Sequence, residues 1–505
     1  MTTGFTGLLT ALVAIPAVGA LIIVLFIRRE SYIKLIAGAV TVIELILSIV
    51  VFALYDTDTA GYQLVDRFVD WIPVDRFPAE YFLGVDGLSA PMVLLTGLLG
   101  MVSIFASWNI RHRVKEYFFW LLLLQTSVMG VFTSLDFFLF FLFWELELVP
   151  MFFLISIWGS GRKEYSAMKF LIFTILGGAL MLVGILALFV STGTFDMTLM
   201  LSEIQTTIMP IGIIFWLFFI AFAVKLPVWP LHSWLPDAHT DAPTAASVML
   251  AGVLLKMGGY GMIRISAGMF PEEMSDVGWI IVIAGVINVL YGALITLRQT
   301  DLKRLIAFSS ISHMGFVLVG LSSVVGVGGV VSPIGLTGAS LQLFTHGTIT
   351  GLLFLLVGYA YEKAHTRYIP DLGGLTARMP VLACMFILAG MASLGLPGTS
   401  GFVSEITIFM GTFEVWGWPT AFAAFGVVLT AGYILWLVQR IFFGPQPKRF
   451  SEVGDISALE AVPVIVLVAA ILSVGIYPAF ITDVFVVGLE PITHSFKDIL
   501  MAGSN

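Results

Sequence analysis

The sequence predicts an all-α polytopic membrane protein with about 14 transmembrane helices. Of its 505 residues, 59% are hydrophobic and only 11% are charged, whereas a soluble domain carries about 25% charged residues. Apolar runs of about 20 residues, the length needed to cross a bilayer, recur along the whole chain. These runs are continuous and do not alternate with polar residues, which excludes a transmembrane β-barrel.

The spans predicted from hydropathy lie along the entire sequence. The seventh span is short and precedes a proline-rich stretch, and the twelfth is too long for one helix and contains a break. The predicted spans are 6–27, 35–54, 87–108, 117–134, 137–159, 167–191, 208–226, 243–266, 278–297, 304–323, 338–360, 379–415, 419–443 and 460–483.

Two of the predicted helices are interrupted in matching places. The segment after Lys225 reads LPVWPLHSWLPDAHTDAPT, with four prolines in 17 residues, and SLGLPGTSGFVSE interrupts the twelfth span just before Glu405. Proline and glycine break the helical hydrogen-bond ladder, and broken backbone at membrane depth persists only where protein or water satisfies it. Each break falls in the fourth helix of a five-helix group, helices 4–8 and 9–13. This pattern predicts inverted repeats around an ion path; simple kinks or re-entrant loops are the alternative.

The same pattern divides the chain into four parts. We expect N-terminal helices 1–3 over residues 1–116 and a first inverted repeat over 117–277. A second inverted repeat over 278–443 follows, and residues 444–505 hold helix 14 and a C-terminal amphipathic segment.

Basic residues predict the orientation of the helices. Of the 24 Lys and Arg, 18 lie near six alternate connections, which the positive-inside rule places in the cytoplasm. Four lie on the other side, namely Arg67, Arg76, Arg264 and Lys497. Both termini are then predicted to face outward, which requires an even number of helices, and fourteen satisfies this. The remaining two, Lys225 and Lys256, fall at membrane depth.

Composition also excludes several kinds of site. Cys384 is the only cysteine, so the sequence predicts no disulfide framework and no cysteine-based iron–sulfur or zinc site on this chain. The net charge of −8 is spread over loops and indicates no nucleic-acid surface. The N-terminus, MTTGFTGLL, has no basic residue before its apolar stretch, which favours a first spanning helix over a cleaved signal peptide.

Four segments resemble the antiporter-like, proton-pumping subunits of respiratory NADH:quinone oxidoreductase (complex I). They are FWELELVP, AVKLPVWPLHSWLPDAHTDAPTAASVMLAGVLLKMGGYG, RQTDLKRLIAFSSISHMGFVLVG and LPGTSGFVSE. The same superfamily includes multisubunit cation/proton antiporters and membrane-bound hydrogenases. The length near 500 residues, the motif FWELELVPMFFL and Glu405, where L- and N-type subunits carry lysine, are similar to the M-type subunits of bacterial enzymes.

The resemblance implies a buried ion pair between Glu145 and Lys225, with Glu145 at the family's carboxylate position before the LVP turn. Glu147 departs from the family pattern, in which a neutral residue is usual, and we expect it to be a protonated carboxyl or a subunit contact. Two residues apart on a helix, Glu145 and Glu147 point about 200° apart. A buried lysine loses its proton readily when no anion opposes desolvation, which suits proton transfer. The alternative is a static ion pair that locks two helices together.

The resemblance extends the proton path beyond this pair. It places Lys256 as the central carrier, His313 and His346 as relays, and Glu405 as the last carrier before release. The alternatives are a snorkelling lysine, hydrogen-bonded structural histidines, and a helix N-terminal carboxylate stabilised by the helix dipole. Nearby hydroxyls could organise water, namely those of Ser309, Ser310, Ser312, Thr345, Thr348 and Thr350.

The resemblance implies a subunit of an H⁺-translocating oxidoreductase without a redox centre of its own. FMN, iron–sulfur clusters and quinone would belong to partner subunits, and the expected neighbours are L-type and N-type antiporter-like subunits and lipids. The expected location is the bacterial inner membrane. A multisubunit Na⁺/H⁺ antiporter subunit and a passive structural membrane-arm subunit are the rival functions.

Two further sets of residues remain outside this scheme. The spacing of His232, Asp237, His239 and Asp241 matches no metal-ligand pattern, so we expect no metal site there. Glu44 lies in the second predicted helix, outside both repeats, and the sequence leaves open whether its partner belongs to another subunit.

Overall fold

Long apolar helices make up most of the computed structural model, which describes residues 6–69, 71, 72, 74, 78–199, 207–325 and 330–503. Within these ranges, twelve helices are long and apolar enough to cross a membrane, and two shorter apolar helices lie at the predicted breaks. Together they fall on all 14 predicted spans, which confirms the all-α polytopic fold class. Arg76, which the orientation argument used, lies outside the described residues.

The chain begins with four helices and one β-hairpin. The helices are α1 (Leu8–Phe26), α2 (Glu30–Leu54), α3 (Ser89–Ala106) and α4 (Val114–Thr133). Strands β1 (Gln63–Phe68) and β2 (Tyr81–Val85) pair antiparallel in the connection between α2 and α3, where the sequence predicted no regular structure.

Side chains of the hairpin fix it to the helix ends around it. Asp66 accepts hydrogen bonds from the backbone N–H groups of Gly7 (2.7 Å) and Thr10 (2.9 Å), so a distant carboxylate satisfies the free donors at the start of α1. Arg67 pairs with Glu80 (2.5 Å) and Asp196 (2.9 Å). The hairpin therefore ties the first helices to the connection that contains Asp196.

The fifth predicted span, counted above as one membrane-crossing helix, has a local irregularity at Glu147. Helix α5 (Phe137–Leu146) ends one residue before Glu147, and α6 (Leu148–Trp158) begins one residue after it. Pro150 explains the interruption, because it has no N–H to donate to the carbonyl four residues earlier. Glu145 thus lies in the last turn of α5, and Glu147 is the residue at the junction between α5 and α6.

The two predicted breaks are present. After α7 (Lys163–Thr192), α8 (Ile211–Lys225) ends at its lysine, and a loop leads to the short α9 (Trp234–Asp241). In the twelfth predicted span, α15 (Pro380–Ser393) and α16 (Ser400–Trp416) are separated by a loop. Gly395 and Gly398 take positive φ angles of 80° and 88° there, a conformation that glycine adopts without a steric cost.

Helix α10 (Thr244–Ala267) is irregular around its lysine. Two π-helical stretches, Leu250–Leu254 and Met262–Ala267, flank the α-helical segment that contains Lys256. Such π segments are rare and occur frequently at functional sites. Gly258 lets α10 approach the end of α8, since a Cβ there would lie 2.5 Å from the backbone nitrogen of Leu226.

The remaining helices complete the bundle. Short 3₁₀ turns lie in the connections between some of them. The helices are α11 (Pro271–Asp276), α12 (Gly278–Thr296), α13 (Leu302–Leu321), α14 (Pro333–Ala364), α17 (Trp418–Phe442), α18 (Ala458–Ile476) and α19 (Ala479–Gly503).

Burial separates the central helices from the peripheral ones. The most apolar 18-residue windows of α10, α13 and α14 are completely buried, whereas those of α1, α2 and α18 are 39%, 33% and 28% buried. The central helices carry the membrane-depth lysine and histidines, and the peripheral ones expose leucine, isoleucine and valine. In a bilayer, ionisable side chains face the interior of the helix bundle, because exposing them to lipid is costly. The four-part division and the inverted orientation of the two repeats stay predictions.

A buried line of charged and imidazole side chains

Lys225 forms its direct ion pair with Glu147. The Lys225 Nζ donates to Glu147 Oε1, and both residues are almost completely buried. The expectation that Glu145 makes this contact is therefore wrong. The break between α5 and α6 is the physical reason, because it places Glu147 at the helix junction, where its side chain reaches the last residue of α8.

Glu145 lies beside this pair without touching it. Its carboxylate remains within Coulombic range of Lys225, but its Oε1 atom has no hydrogen-bond partner among the described residues. That oxygen faces α7 at Gly178, where a Cβ would approach it to 1.7 Å. Glu145 is only partly buried, whereas Glu147 is fully buried. The two carboxylates therefore differ both in contact with Lys225 and in access to the surface.

Aromatic rings surround the Lys225 ammonium. Its Nζ lies 5.4 Å from the ring centre of Trp144 and 5.8 Å from that of Phe170. Such rings stabilise a cation electrostatically while excluding water. The α8 terminus is fixed by Trp234, whose indole N–H donates to the Val224 carbonyl at 3.0 Å.

Lys256 and His346 are in direct contact at the centre of the bundle. Lys256 Nζ lies 2.7 Å from His346 Nδ1 and also donates to the Ala251 carbonyl within its own helix. Lys256 is 0% exposed, so its side chain does not snorkel to an interface. His346 Nε2, on the other side of the ring, is buried and has no hydrogen-bond partner among the described residues.

His313 links His346 to Glu405. The two imidazole ring centres are 5.4 Å apart, and His313 Nδ1 lies 3.5 Å from Glu405 Oε1. Ser393 Oγ lies 3.2 Å from His313 Nε2 at the end of α15, and Gln342 Nε2 lies 3.4 Å from His313 Nδ1. The structure thus brings together Lys256, His346, His313 and Glu405, in that order.

A small cavity lies between these groups. Its volume is about 10 Å³, and its lining includes His313, His346, Ser393 and Glu405. This is close to the minimum that holds one water molecule, which also needs two to four polar partners. His346 and Glu405, which both line the cavity, carry polar atoms of this kind.

The second break positions Glu405. Gly401 packs so closely against the Ala392 carbonyl that a Cβ would lie 2.1 Å from that oxygen, which brings the start of α16 against the end of α15. Gly395 faces the Glu405 Oε2 atom, and a Cβ there would lie 2.7 Å from it. Glu405 lies in the second turn of α16 and is buried.

His239 is a residue that the sequence reasoning considered only for metal binding. It is 0% exposed, its ring stacks on Phe354 with centroids 4.6 Å apart, and neither ring nitrogen has a hydrogen-bond partner among the described residues. It lies within Coulombic range of Lys256, Lys303 and His346. The signal that could have found it was its place in the proline-rich break; within the described residues no metal-binding cluster forms.

Lys303 is buried rather than exposed in a cytoplasmic connection. Its Nζ donates to the Ala242 carbonyl at 2.6 Å, next to the break. A pocket of about 160 Å³ reaches this lysine, and its lining includes Ser160, Glu362 and Arg367. Polar groups therefore extend from this pocket through Lys303 and His239 toward Lys256.

No direct contact joins the two lysines among the described residues. Gly258, two positions after Lys256, packs on the Phe222 carbonyl and the Leu226 nitrogen at the end of α8. The segments that carry the two lysines thus pack backbone to backbone, without a shared hydrogen bond among the described residues.

Residues 134–430, which hold every member of this line, match the transmembrane family described as NADH:quinone oxidoreductase/Mrp antiporter. The chain belongs to this family. The NADH-quinone oxidoreductase subunit M of Rhodobacter capsulatus is 42% identical over 463 residues, covering 89% of this chain and 88% of that protein. The NAD(P)H-quinone oxidoreductase chain 4 2 of Thermosynechococcus vestitus is 40% identical and covers 98% of this chain and 93% of that protein.

Solved structures of the family share the fold. A chain of respiratory complex I from Thermus thermophilus superposes with a TM-score of 0.86 at 26% identity, over 97% of this chain and 99% of that one. A chain of the Mrp complex from Dietzia gives a TM-score of 0.84 at 22% identity, over 97% and 98% of the two chains. The second likeness concerns the fold alone.

Proposed function

We propose that this chain is the M-type, proton-translocating membrane-arm subunit of a bacterial NADH:quinone oxidoreductase. Its membership of the family and its extensive identity to subunit M proteins support this function. The observation that carries the proposal is the buried sequence of contacts from Lys256 through His346 and His313 to Glu405. Buried ionisable groups are costly in a membrane and mark proton or ion paths when they adjoin one another.

The contacts suggest how a proton passes the centre. A charged Lys256 donates to His346 Nδ1, and the imidazole then releases a proton from Nε2 into the small cavity. One water there passes it to His313 or directly to Glu405. Each transfer moves one proton between neighbouring nitrogen and oxygen atoms, so no covalent intermediate is required. Glu405 then releases the proton outward from the second broken helix.

Lys225 and its two carboxylates supply a switch for this path. With Glu147 in contact, the ammonium is held as a buried ion pair. Separating the pair would leave an unpaired cation in an apolar site, which favours loss of its proton. Glu145, which is partly exposed and whose Oε1 atom has no hydrogen-bond partner among the described residues, suits the role of a carboxylate that exchanges protons and changes the field at Lys225.

The input side is best placed at the pocket beside Lys303. His239 lies between that lysine and Lys256, and its ring nitrogens are free of partners within the described residues. We therefore add His239 to the proposed carriers. Proton uptake at this pocket and release near Glu405 agree with the orientation predicted from the basic residues, in which protons enter from the cytoplasm and leave on the outer face.

FMN, iron–sulfur clusters and quinone would belong to other subunits, and L-type and N-type antiporter-like subunits would be the membrane neighbours. The chain would lie in the bacterial inner membrane among lipids, with both termini on the outer face. Redox energy would then reach this subunit through its neighbours.

A Na⁺/H⁺ antiporter subunit is the second candidate, because the family includes Mrp antiporters and the Mrp fold superposes well. Glu405 argues against it, since the antiporter subunits are similar to the types with lysine at this position. Pumping by the intact enzyme that does not depend on Na⁺ would support the oxidoreductase assignment, and strict Na⁺ dependence would support the antiporter.

The experiment that tests the proposed function replaces Lys256 with methionine in the intact complex. We expect proton pumping and coupled NADH:quinone reductase activity to fall by about tenfold or more, since a lost proton carrier costs at least that. Lys34→Met is the matched control, because Lys34 lies near the start of α2, away from the buried line, and donates to the Trp108 carbonyl at 2.6 Å. Equal, full activity of both assembled variants would instead support a passive structural subunit.

A further inference from the structure

The break that follows Lys225 contains backbone groups that need hydrogen-bond partners. Among residues 226–231, three backbone N–H groups donate to carbonyls within residues 222–228, and the two prolines have no N–H to place. The remaining donor, the N–H of Trp229, bonds a side chain from another helix. Broken backbone at membrane depth persists only where such groups are satisfied, so the geometry of the break depends on that side chain.

Asn288, in α12, satisfies this donor and also one carbonyl of the break. Its Oδ1 atom accepts from the Trp229 N–H at 2.7 Å, and its Nδ2 atom donates to the Pro227 carbonyl at 3.2 Å. The two contacts fix the orientation of the amide, because only its oxygen can accept and only its nitrogen can donate. One side chain thus holds the backbone on both sides of Val228, directly after the end of α8.

Burial makes the Asn288 contacts hard to replace. Asn288 is 0% exposed, whereas the side chain of Trp229 lies at the outside of the bundle and is 44% exposed. A backbone group that loses its partner in a buried place is costly, since it can no longer bond water. The Asn288 amide is therefore the group on which this part of the break depends.

A second contact joins α12 to the break. The Tyr291 hydroxyl lies 3.2 Å from His232 Nε2, and the two rings meet edge to face with their centres 5.0 Å apart. Asn288 and Tyr291 are three residues apart and therefore share one face of α12. This face lies along the break.

Helix α12 also packs on the part of α13 that contains His313. The Ser312 hydroxyl donates to the Val289 carbonyl at 2.9 Å. A Cβ on Gly315 would lie 2.7 Å from the Gly285 carbonyl oxygen. The two helices thus contact each other immediately before His313 and two residues after it, so α12 lies between the break and the histidine relay.

We propose that Asn288 is a positioning residue of the proton path, which fixes the break after Lys225 to the pair of helices that contains His313. The inference rests on the proposed function, because it concerns two members of that path. The segment that Asn288 holds begins directly after Lys225, so the amide sets where the ammonium meets Glu147. The amide does not titrate, and it acts through the backbone that it binds.

Asn288→Leu in the intact complex tests this role, because leucine is of similar size but has neither donor nor acceptor. We expect the assembled variant to show a lowered proton-to-electron ratio in reconstituted vesicles and faster amide hydrogen exchange in residues 226–233. Thr296→Val is the matched control, since Thr296 is also 0% exposed on α12 and donates to the Gly292 carbonyl of its own helix at 2.7 Å. The control should leave both measurements at the wild-type values.

A double variant separates positioning from a general structural role. Asn288→Leu should cause no further loss of pumping when Lys225 is already replaced by methionine, because the amide acts through Lys225. If the leucine variant assembles poorly, Asn288→Ser supplies the same readings, since a short hydroxyl cannot bridge the two backbone groups that the amide joins.

Three results would overturn the proposal. They are an additional loss of pumping in the double variant, unchanged hydrogen exchange in residues 226–233, and a wild-type proton-to-electron ratio despite faster exchange. Lys256→Met separates this outcome from failure of the proposed function. Full pumping by Lys256→Met would refute the function, whereas full pumping by Asn288→Leu beside an impaired Lys256→Met would refute only the positioning role.

Discussion

Lys225 lies near two carboxylates that differ in their contact with its ammonium group and in their exposure. Glu147 is completely buried and holds the ammonium in a direct ion pair, whereas Glu145 is partly exposed and makes no ion-pair contact with it among the described residues. Burying an ion pair contributes little net stability, but removing one partner costs about 3–5 kcal/mol because the other charge is left unpaired. The fully buried carboxylate is therefore suited to an anchoring role, and the partly exposed one to proton exchange.

This difference predicts distinct phenotypes for two matched substitutions. Glu147→Gln should reduce the amount of assembled complex, because Lys225 loses its buried partner. Glu145→Gln should leave assembly intact but reduce proton pumping strongly, because the exchangeable carboxylate is lost. Native gels and pumping in vesicles separate the two effects; the opposite assignment of phenotypes would show that the carboxylate in contact is the one that exchanges protons.

At His239 the prediction is a loss of pumping without loss of structure. His239→Gln keeps a polar group of similar size but removes the titratable nitrogen, so assembly should be retained while coupled activity falls. His232→Gln is the control, since His232 lies in the same segment and contacts Tyr291 at 3.2 Å, away from Lys256. Equal pumping by both variants would remove His239 from the path.

Residue-level reasoning from the sequence identified most of this site. It named Lys225, Lys256, His313, His346 and Glu405, and the structure brings the last four into one line of contacts. It missed the Glu147 contact because a helix boundary lies inside an apolar run that reads as continuous. It considered His239 only for metal binding, because the proline-rich break marks its position but not the burial of its two ring nitrogens, which have no partners among the described residues.

Broken and irregular helices supply the geometry at the scale of elements. Lys225 ends α8, Glu405 lies just inside α16, and π-helical stretches flank Lys256. Each irregularity frees backbone groups or shifts the helix register, which permits a buried polar side chain to meet a partner. Proline and glycine made the two loops predictable, whereas no residue pattern marked the π segments or the hairpin between α2 and α3.

Helices α8 and α10 approach closely at Gly258, so a larger side chain at this position should disturb their packing. Gly258→Val would place side-chain atoms against the backbone at Leu226 and should reduce assembled complex, since overpacking costs about 1–3 kcal/mol or more. Gly268→Ala, at the end of the same helix, is the control because its Cβ would have 3.5 Å or more of space. The thermal stability of the detergent-solubilised complex measures both, and equal stability would contradict the packing argument.

At the scale of the whole molecule, the described spans differ in burial. Lys256, His313 and His346 lie on completely buried central helices, and the peripheral helices expose mainly apolar side chains. Composition and hydropathy predicted the 14 spans, because span length and apolar content are local properties of the sequence. The orientation of the bundle depends on the distribution of basic residues and remains a prediction.

Orientation has a direct test. The 18-to-4 distribution of basic residues and the even number of predicted spans place both termini outside. An epitope fused after residue 505 should therefore be accessible on intact spheroplasts without permeabilisation. An epitope in the connection around Arg162 should need permeabilisation. The reverse pattern would overturn the predicted topology, although not the fold.

The central claim is that protons pass along the line that ends at Glu405, and Glu405→Gln tests it most directly. Gln keeps the size and hydrogen-bonding capacity of the side chain beside His313 but cannot change its charge. The measurement is the proton-to-electron ratio during NADH oxidation by reconstituted vesicles, with a native gel to confirm assembly. We predict a clearly lowered ratio in an assembled complex; an unchanged ratio would exclude Glu405 from the path and contradict the account.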